Sequence, residues 1–138
     1  MTYFYELGRS RRLAQNAAAQ FRTALAVYLV IYAIGGLLAV ILPSLVGEAL
    51  AFPPPYGGIR PVGGLILLIV AFQLSVWQDA VRSRVPALIG TAGRFLLAIL
   101  WLLAGRYFLW IAFFEIVFAI LLAWLLYKYM AAELMSRP

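Results

Sequence analysis

The sequence contains no cysteine and no histidine among its 138 residues. The absence of cysteine excludes disulfides, iron–sulfur ligation and a thiol nucleophile, and the absence of histidine removes the commonest protein ligand of zinc, haem and copper. Charged residues are also scarce, at 12% of the chain, whereas a soluble domain keeps roughly a quarter of its residues charged. This is too little charge to cover a water-facing surface, so we expect the apolar side chains to face lipid.

Apolar residues make up 66% of the chain, and its mean hydropathy is +0.98. Crossing the hydrocarbon core of a bilayer takes about 20 mostly apolar residues. The pattern predicts an all-α membrane four-helix bundle with helices at about 23–42, 62–77, 86–104 and 107–129. The first 22 residues are too polar for a signal peptide, so the first helix is expected to remain as an anchor.

The basic residues are distributed unevenly between the two ends of this predicted bundle. Eight lie at one end and two at the other, namely Arg9, Arg11, Arg12, Arg22, Arg82, Arg84, Lys128 and Arg137 against Arg60 and Arg106. Cytoplasmic loops carry the excess of Lys and Arg in membrane proteins. The distribution therefore predicts that both termini are cytoplasmic, and the expected location is a bacterial inner membrane.

Three segments lie outside the predicted spanning helices. Residues 1–22 form a basic N-terminal arm whose composition suits an arm lying on the inner membrane surface, and residues 130–138 form a cytoplasmic tail. An ordinary basic flank that only sets the topology is the alternative for the arm. In the outer loop, residues 44–50 are expected to form a short helix before a run of prolines. The arm supplies the candidate contacts to a partner or to lipid, which are Tyr3, Phe4, Tyr5, Arg9, Arg11 and Arg12.

Two charged residues fall inside predicted spanning helices, where charge is costly and needs a partner. Arg94 lies eleven residues before Gly105 and Glu115 lies ten residues after it, so the two are at nearly the same depth in a tight hairpin. Gln73, eleven residues after Val62, reaches a similar depth. The sequence thus predicts an intramembrane polar cluster of Gln73, Arg94 and Glu115 that contains a buried salt bridge.

Two roles are open for this cluster. It either fixes the register and rotation of the helices, or it acts as a proton or ion relay or as a polar contact for a bound headgroup or quinone-like ligand. A relay needs titratable groups that reach both surfaces. Because Glu115 is the only deep carboxylate and histidine is absent, the residues favour the structural role.

The first predicted helix ends in a Gly-rich segment and Pro43, and the second opens on Arg-Pro-Val-Gly-Gly at residues 60–64. The third carries Gly93-Arg94 and the fourth Glu115. Over roughly residues 27–127 this layout resembles the DoxX-like group of small four-helix membrane proteins. Some members of that group are associated with quinone or thiol oxidation, so the resemblance implies a stand-alone carrier or redox partner that uses the polar cluster. The absence of cysteine speaks against the thiol role.

The residues themselves favour a different function. The sequence has no Ser/His/Asp set, no metal cluster, no phosphate loop and no paired carboxylates, so we do not expect an enzyme. The first hypothesis is therefore a non-catalytic subunit that binds and stabilises a larger membrane protein assembly, for example an energy-transducing complex. Its expected partners are membrane lipids and other membrane subunits rather than nucleic acid. No cofactor is required, although a bound lipid, quinone or pigment stays open.

Overall fold

A computed structural model describes residues 2–79 and 84–135 of the chain. Within these ranges the structure is helical and contains no strand. Two single turns of 3₁₀ helix, Tyr56–Gly58 and Arg106–Phe108, precede α3 and α5. The α-helices are α1 (Thr2–Ile41), α2 (Pro43–Ala49), α3 (Ile59–Asp79), α4 (Arg84–Leu103) and α5 (Leu109–Met135).

Four of the described helices, α1, α3, α4 and α5, are long and apolar enough to cross a membrane. This agrees with the all-helical, four-span architecture expected from hydropathy. Helix α2 corresponds to the short outer helix predicted at 44–50, and Pro43 is at its first turn, where a missing backbone N–H costs nothing. The predicted tail at 130–138 begins as the last turns of α5, and residues 136–138 lie outside the described part of the chain.

Helix α1 is much longer than the first predicted span. It runs without a break through 40 residues, from Thr2 to Ile41, which corresponds to about 60 Å. The hydrocarbon core of a bilayer is about 30 Å thick. Residues 2–22, which are expected to form the arm, are helical and continue into the first span with no loop at residue 22. The position of these residues relative to the membrane surface stays a prediction.

Helix α1 occupies a central place in the bundle. It packs against α3 on one side and against α5 on the other, and α5 in turn packs against α4. Helices α3 and α4 make only sparse contact with each other. The buried core lies mostly along α1 and α5, with Leu25, Tyr28, Ala112, Ala119 and Leu122 almost fully enclosed.

Helices α1 and α3 lie close together at Gly36 and Gly63. A Cβ built on Gly63 would lie 2.8 Å from the backbone oxygen of Gly36 and 2.7 Å from Cβ of Ala39. A Cβ on Gly36 would lie 2.9 Å from Cγ of Leu67. Small residues of this kind let helix backbones come together in a membrane, where packing replaces the hydrophobic effect as the driving force.

Tight connections join the helices at the end opposite the arm. Gly47 of α2 faces Tyr56 and Ile59, so α2 is held against the start of α3. The connection from α4 to α5 turns at Gly105, whose φ of 107° is a conformation that glycine adopts without strain. The expected tight hairpin between the last two spanning helices is therefore present.

Candidate functional site

Two charged side chains are enclosed in the bundle between α1, α4 and α5. Arg94 is 1% exposed and Glu115 is 0% exposed, and both are flanked by apolar helix surface. A buried charge without polar partners is strongly destabilising. The contacts of these two groups therefore decide what the site can do.

Glu115 accepts hydrogen bonds from two tyrosines of α1. The hydroxyl groups of Tyr28 and Tyr32 both donate to its Oε1 atom, with a distance of 2.9 Å for Tyr28. The tyrosines are four residues apart and so lie on one face of the helix. Their rings are stacked on each other, with centroids 4.3 Å apart.

Arg94 contacts the ring of Tyr28. Its Cζ atom lies 3.5 Å from the ring centroid of Tyr28, so the guanidinium covers the face of the phenol ring. Its Nη2 atom donates to Oε1 of Gln73 at 3.2 Å. Gly90 leaves room for this amide, because a Cβ at that position would lie 3.2 Å from the same Gln73 oxygen.

The prediction of a direct salt bridge between Arg94 and Glu115 is wrong. Arg94 and Glu115, both in the described part of the chain, make no ion pair. Tyr28 connects them instead, with its ring on the guanidinium and its hydroxyl on the carboxyl group. The matched depths bring the two charges into one cluster, but the rotation of α1 places an aromatic side chain where the direct contact was expected.

One polar atom on each charged group has no hydrogen-bond partner among the described residues. These atoms are Nη1 of Arg94 and Oε2 of Glu115, and both are buried. Thr91, one turn before Arg94 on α4, is buried too, but its hydroxyl donates to the backbone oxygen of Ala87. The cluster therefore keeps one unused donor position and one unused acceptor position inside the bundle.

An apolar cavity of about 290 Å³ begins beside Tyr32 and extends toward α2. Its walls come from α1, α2, α3 and α5 and are apolar, with Phe114 next to the tyrosine. Gly35 opens one wall, because a Cβ there would have no atom within 4 Å. The cavity lies next to the polar cluster but does not include Arg94 or Glu115.

The candidate contacts on the N-terminal arm are less completely described. Arg9, Arg11 and Arg12 are exposed on the first turns of α1. The side chains of Tyr3, Phe4 and Tyr5 lie outside the described part of the structure, so their role stays a prediction. Among the described residues no group of three or more Asp and Glu side chains comes together as a metal site.

Comparisons with protein-family models, with characterised proteins and with solved structures give no match for this chain. The resemblance to the DoxX-like group therefore stays a prediction.

Tyr28 and Tyr32 are the site residues that sequence reasoning missed. A signal for one of them was present, because Tyr32 lies ten residues before Leu42, the same distance from the outer end of its helix as Glu115 lies from Gly105. Applying the depth argument to hydroxyl groups as well as to charges would have placed Tyr32 beside Glu115. Tyr28 lies one turn deeper than Tyr32, so its depth does not match that of Glu115.

Proposed function

We propose that this chain is a non-catalytic integral membrane subunit that binds and stabilises a larger membrane protein assembly, with both termini in the cytoplasm. The observation that carries the proposal is the length of α1. At about 60 Å, twice the thickness of the hydrocarbon core, the helix extends well beyond the membrane at one end. Such an extension offers a rigid surface on which another subunit can dock.

The exposure pattern of α1 supports this use of its first turns. Among the side chains of α1 that the structure describes, Ala17 is the first that is buried, and Phe21 and Leu25 follow it. Before it, the described side chains are exposed with the exception of the half-buried Ala14. Leu13 is half exposed in this basic stretch and adds an apolar contact for a partner.

The contacts of the polar cluster support a structural role for the charges inside the bundle. All four spanning helices contribute to them, with Tyr28 from α1, Gln73 from α3, Arg94 from α4 and Glu115 from α5. Such a network fixes the rotation of four helices relative to one another, because turning any helix breaks a polar contact in a medium without water.

The experiment is extraction in mild detergent followed by native electrophoresis of the full chain and of a variant that lacks residues 2–13. This deletion leaves Ala17 and Phe21, and with them the packing of α1 on α5, intact. We expect the full chain to migrate in a complex and the deletion variant to migrate alone while remaining folded. A full chain that migrates alone would overturn the proposal, and a deletion variant that stays in the complex would remove the arm as the docking element.

A carrier of a lipid-soluble molecule is the second candidate, and the cavity beside Tyr32 is the observation that favours it. In that case a ligand in the cavity would contact Tyr32, which donates a hydrogen bond to Glu115 of the cluster. Glu115→Gln separates the two functions. Loss of a transport activity in a variant that remains folded and assembled would favour the carrier over the subunit.

A further inference from the structure

A polar groove lies at the end of the bundle where the first turns of α1 pass the last turns of α5. Its volume is about 420 Å³. Helix α1 contributes one face between Arg11 and Arg22, and α5 contributes Tyr129 and Glu133. The groove is separate from the intramembrane cluster and from the apolar cavity, since it shares no lining residue with either.

Small side chains form the floor of the groove, and polar side chains lie at its two ends. Three alanines of α1, at positions 14, 18 and 19, line it and leave a concave surface, because they have no side chain beyond Cβ. Gln15 and the guanidinium groups of Arg11 and Arg22 provide hydrogen-bond donors along the same helix face. Both arginines are exposed.

Contacts with Trp77 place Arg22 at the membrane boundary. The indole nitrogen of Trp77 donates to the backbone oxygen of Arg22 at 3.1 Å, and the guanidinium lies over the indole ring, 5.4 Å from its centroid. Tryptophan is enriched at the level of the lipid headgroups. Arg22 is therefore at the headgroup layer, and Arg11, eleven residues earlier, lies about 16 Å farther from the membrane centre.

The charge of the groove suits one anionic group. Arg11 and Arg22 contribute two positive charges and Glu133 one negative charge. A guanidinium group matches a phosphate in shape and can bind it with two parallel hydrogen bonds. Basic pockets between membrane helices bind the headgroups of anionic lipids in this way.

We propose that this groove binds the headgroup of an anionic phospholipid. The phosphate lies against Arg22, the rest of the headgroup extends along the groove toward Gln15, and Arg11 adds positive charge at the far end of the groove. The site goes beyond the proposed subunit role and does not depend on it, because a lipid can bind whether or not a protein partner does. It also differs from a diffuse attraction of the basic arm to the membrane, in which Arg9 and Arg12 would contribute as much as Arg11 and Arg22.

The test compares two double variants that remove the same charge from α1. Arg11→Gln/Arg22→Gln changes the groove, and Arg9→Gln/Arg12→Gln changes exposed arginines that do not line it. Native mass spectrometry of the detergent-purified chain, mixed with phosphatidylglycerol or with phosphatidylcholine of the same acyl chains, measures the lipid retained. We expect the wild type to retain phosphatidylglycerol preferentially, the groove variant to lose about tenfold in affinity, and the control variant to change less than about twofold.

A third variant tests the shape of the groove without changing its charge. Ala18→Leu fills the floor of the groove and should weaken phosphatidylglycerol binding. This variant tests the site independently if the double groove variant fails to fold. Inorganic phosphate at the same concentration as the lipid should not displace it, because phosphate has no acyl chains to pack on the apolar surface of the helices. Equal losses in the two double variants, equal retention of the two lipids, displacement by free phosphate or unchanged binding by Ala18→Leu would each overturn the proposal.

Discussion

The phenol ring of Tyr28 lies under the guanidinium of Arg94 while its hydroxyl bonds Glu115, so that one tyrosine of α1 connects the two buried charges of α4 and α5. This arrangement replaces a direct salt bridge with a mediated one. Its consequence is that helix α1 takes part in compensating both charges. Tyr28 is fully buried, and Phe114 and Phe118 of α5 pack on its ring.

Removing a tyrosine hydroxyl should therefore destabilise the bundle. We expect Tyr28→Phe and Tyr32→Phe each to lower the free energy of unfolding by about 1 kcal/mol, because each removes a donor to the buried carboxyl group of Glu115. The double variant should cost more than the sum, since Oε1 then loses both donors. Titration with SDS in mixed micelles measures these energies. Tyr127→Phe, at a side chain 71% exposed, is the control and should change nothing.

The two buried charges should be coupled although they do not touch. Arg94→Leu and Glu115→Leu should each cost about 3 kcal/mol, because each leaves the other charge buried without an opposite charge in its cluster. Arg94→Leu/Glu115→Leu should cost less than the sum of the two. It should still be less stable than the wild type, because the hydroxyls of Tyr28 and Tyr32 lose their acceptor. Adding Tyr28→Phe and Tyr32→Phe to the double variant should recover stability, and strictly additive single effects would show that the charges are independent.

The close approach of α1 and α3 predicts opposite outcomes at adjacent glycines. Gly63→Ala should destabilise the protein by about 1–3 kcal/mol, because its Cβ would meet the backbone oxygen of Gly36, which cannot move without separating the helices. Gly64→Ala should be neutral or slightly stabilising, since a Cβ there meets nothing within 4 Å and alanine favours the helix. The same SDS titration measures both. Equal effects at the two positions would contradict the close packing.

The absence of cysteine allows a direct test of the proposed orientation. Gly8 and Gly57 are exposed, and a side chain at either would meet no atom within 4 Å. We expect Gly57→Cys to react with a membrane-impermeant maleimide in intact cells and Gly8→Cys to react only after the membrane is opened. The reverse pattern would invert the topology, and labelling of both in intact cells would place the two positions on the same side.

Hydropathy was sufficient to predict the four spanning helices, because each consists of a long apolar stretch bounded by proline, glycine or charge. The start of α1 was not predictable in this way. Residues 2–22 are too polar for a span, but a polar sequence without proline can continue a helix into water, and Gly8 does not interrupt it. The arm and the first span are therefore one element in the structure although their compositions differ.

The polar cluster was only partly predictable for a related reason. Counting residues from the turns gives the depth of Gln73, Arg94 and Glu115, and the structure brings Gln73 to Arg94 as the depths suggest. Depth does not give the rotation of a helix about its axis. In a span such as α1, whose sequence is apolar nearly all round, hydropathy cannot show which face points inward, so the contacts of Tyr28 with both charges required the packed structure.

Because α1 is one unbroken helix, a change in its tilt moves both of its ends. Its midpoint lies near Phe21, and the half that carries Tyr28 and Tyr32 into the bundle is continuous with the half that carries Arg9, Arg11 and Arg12. A tilt of about 10° around that midpoint would displace the amino-terminal tip by about 5 Å. A change in the tilt of α1 would therefore move the surface on which we propose that a partner subunit docks.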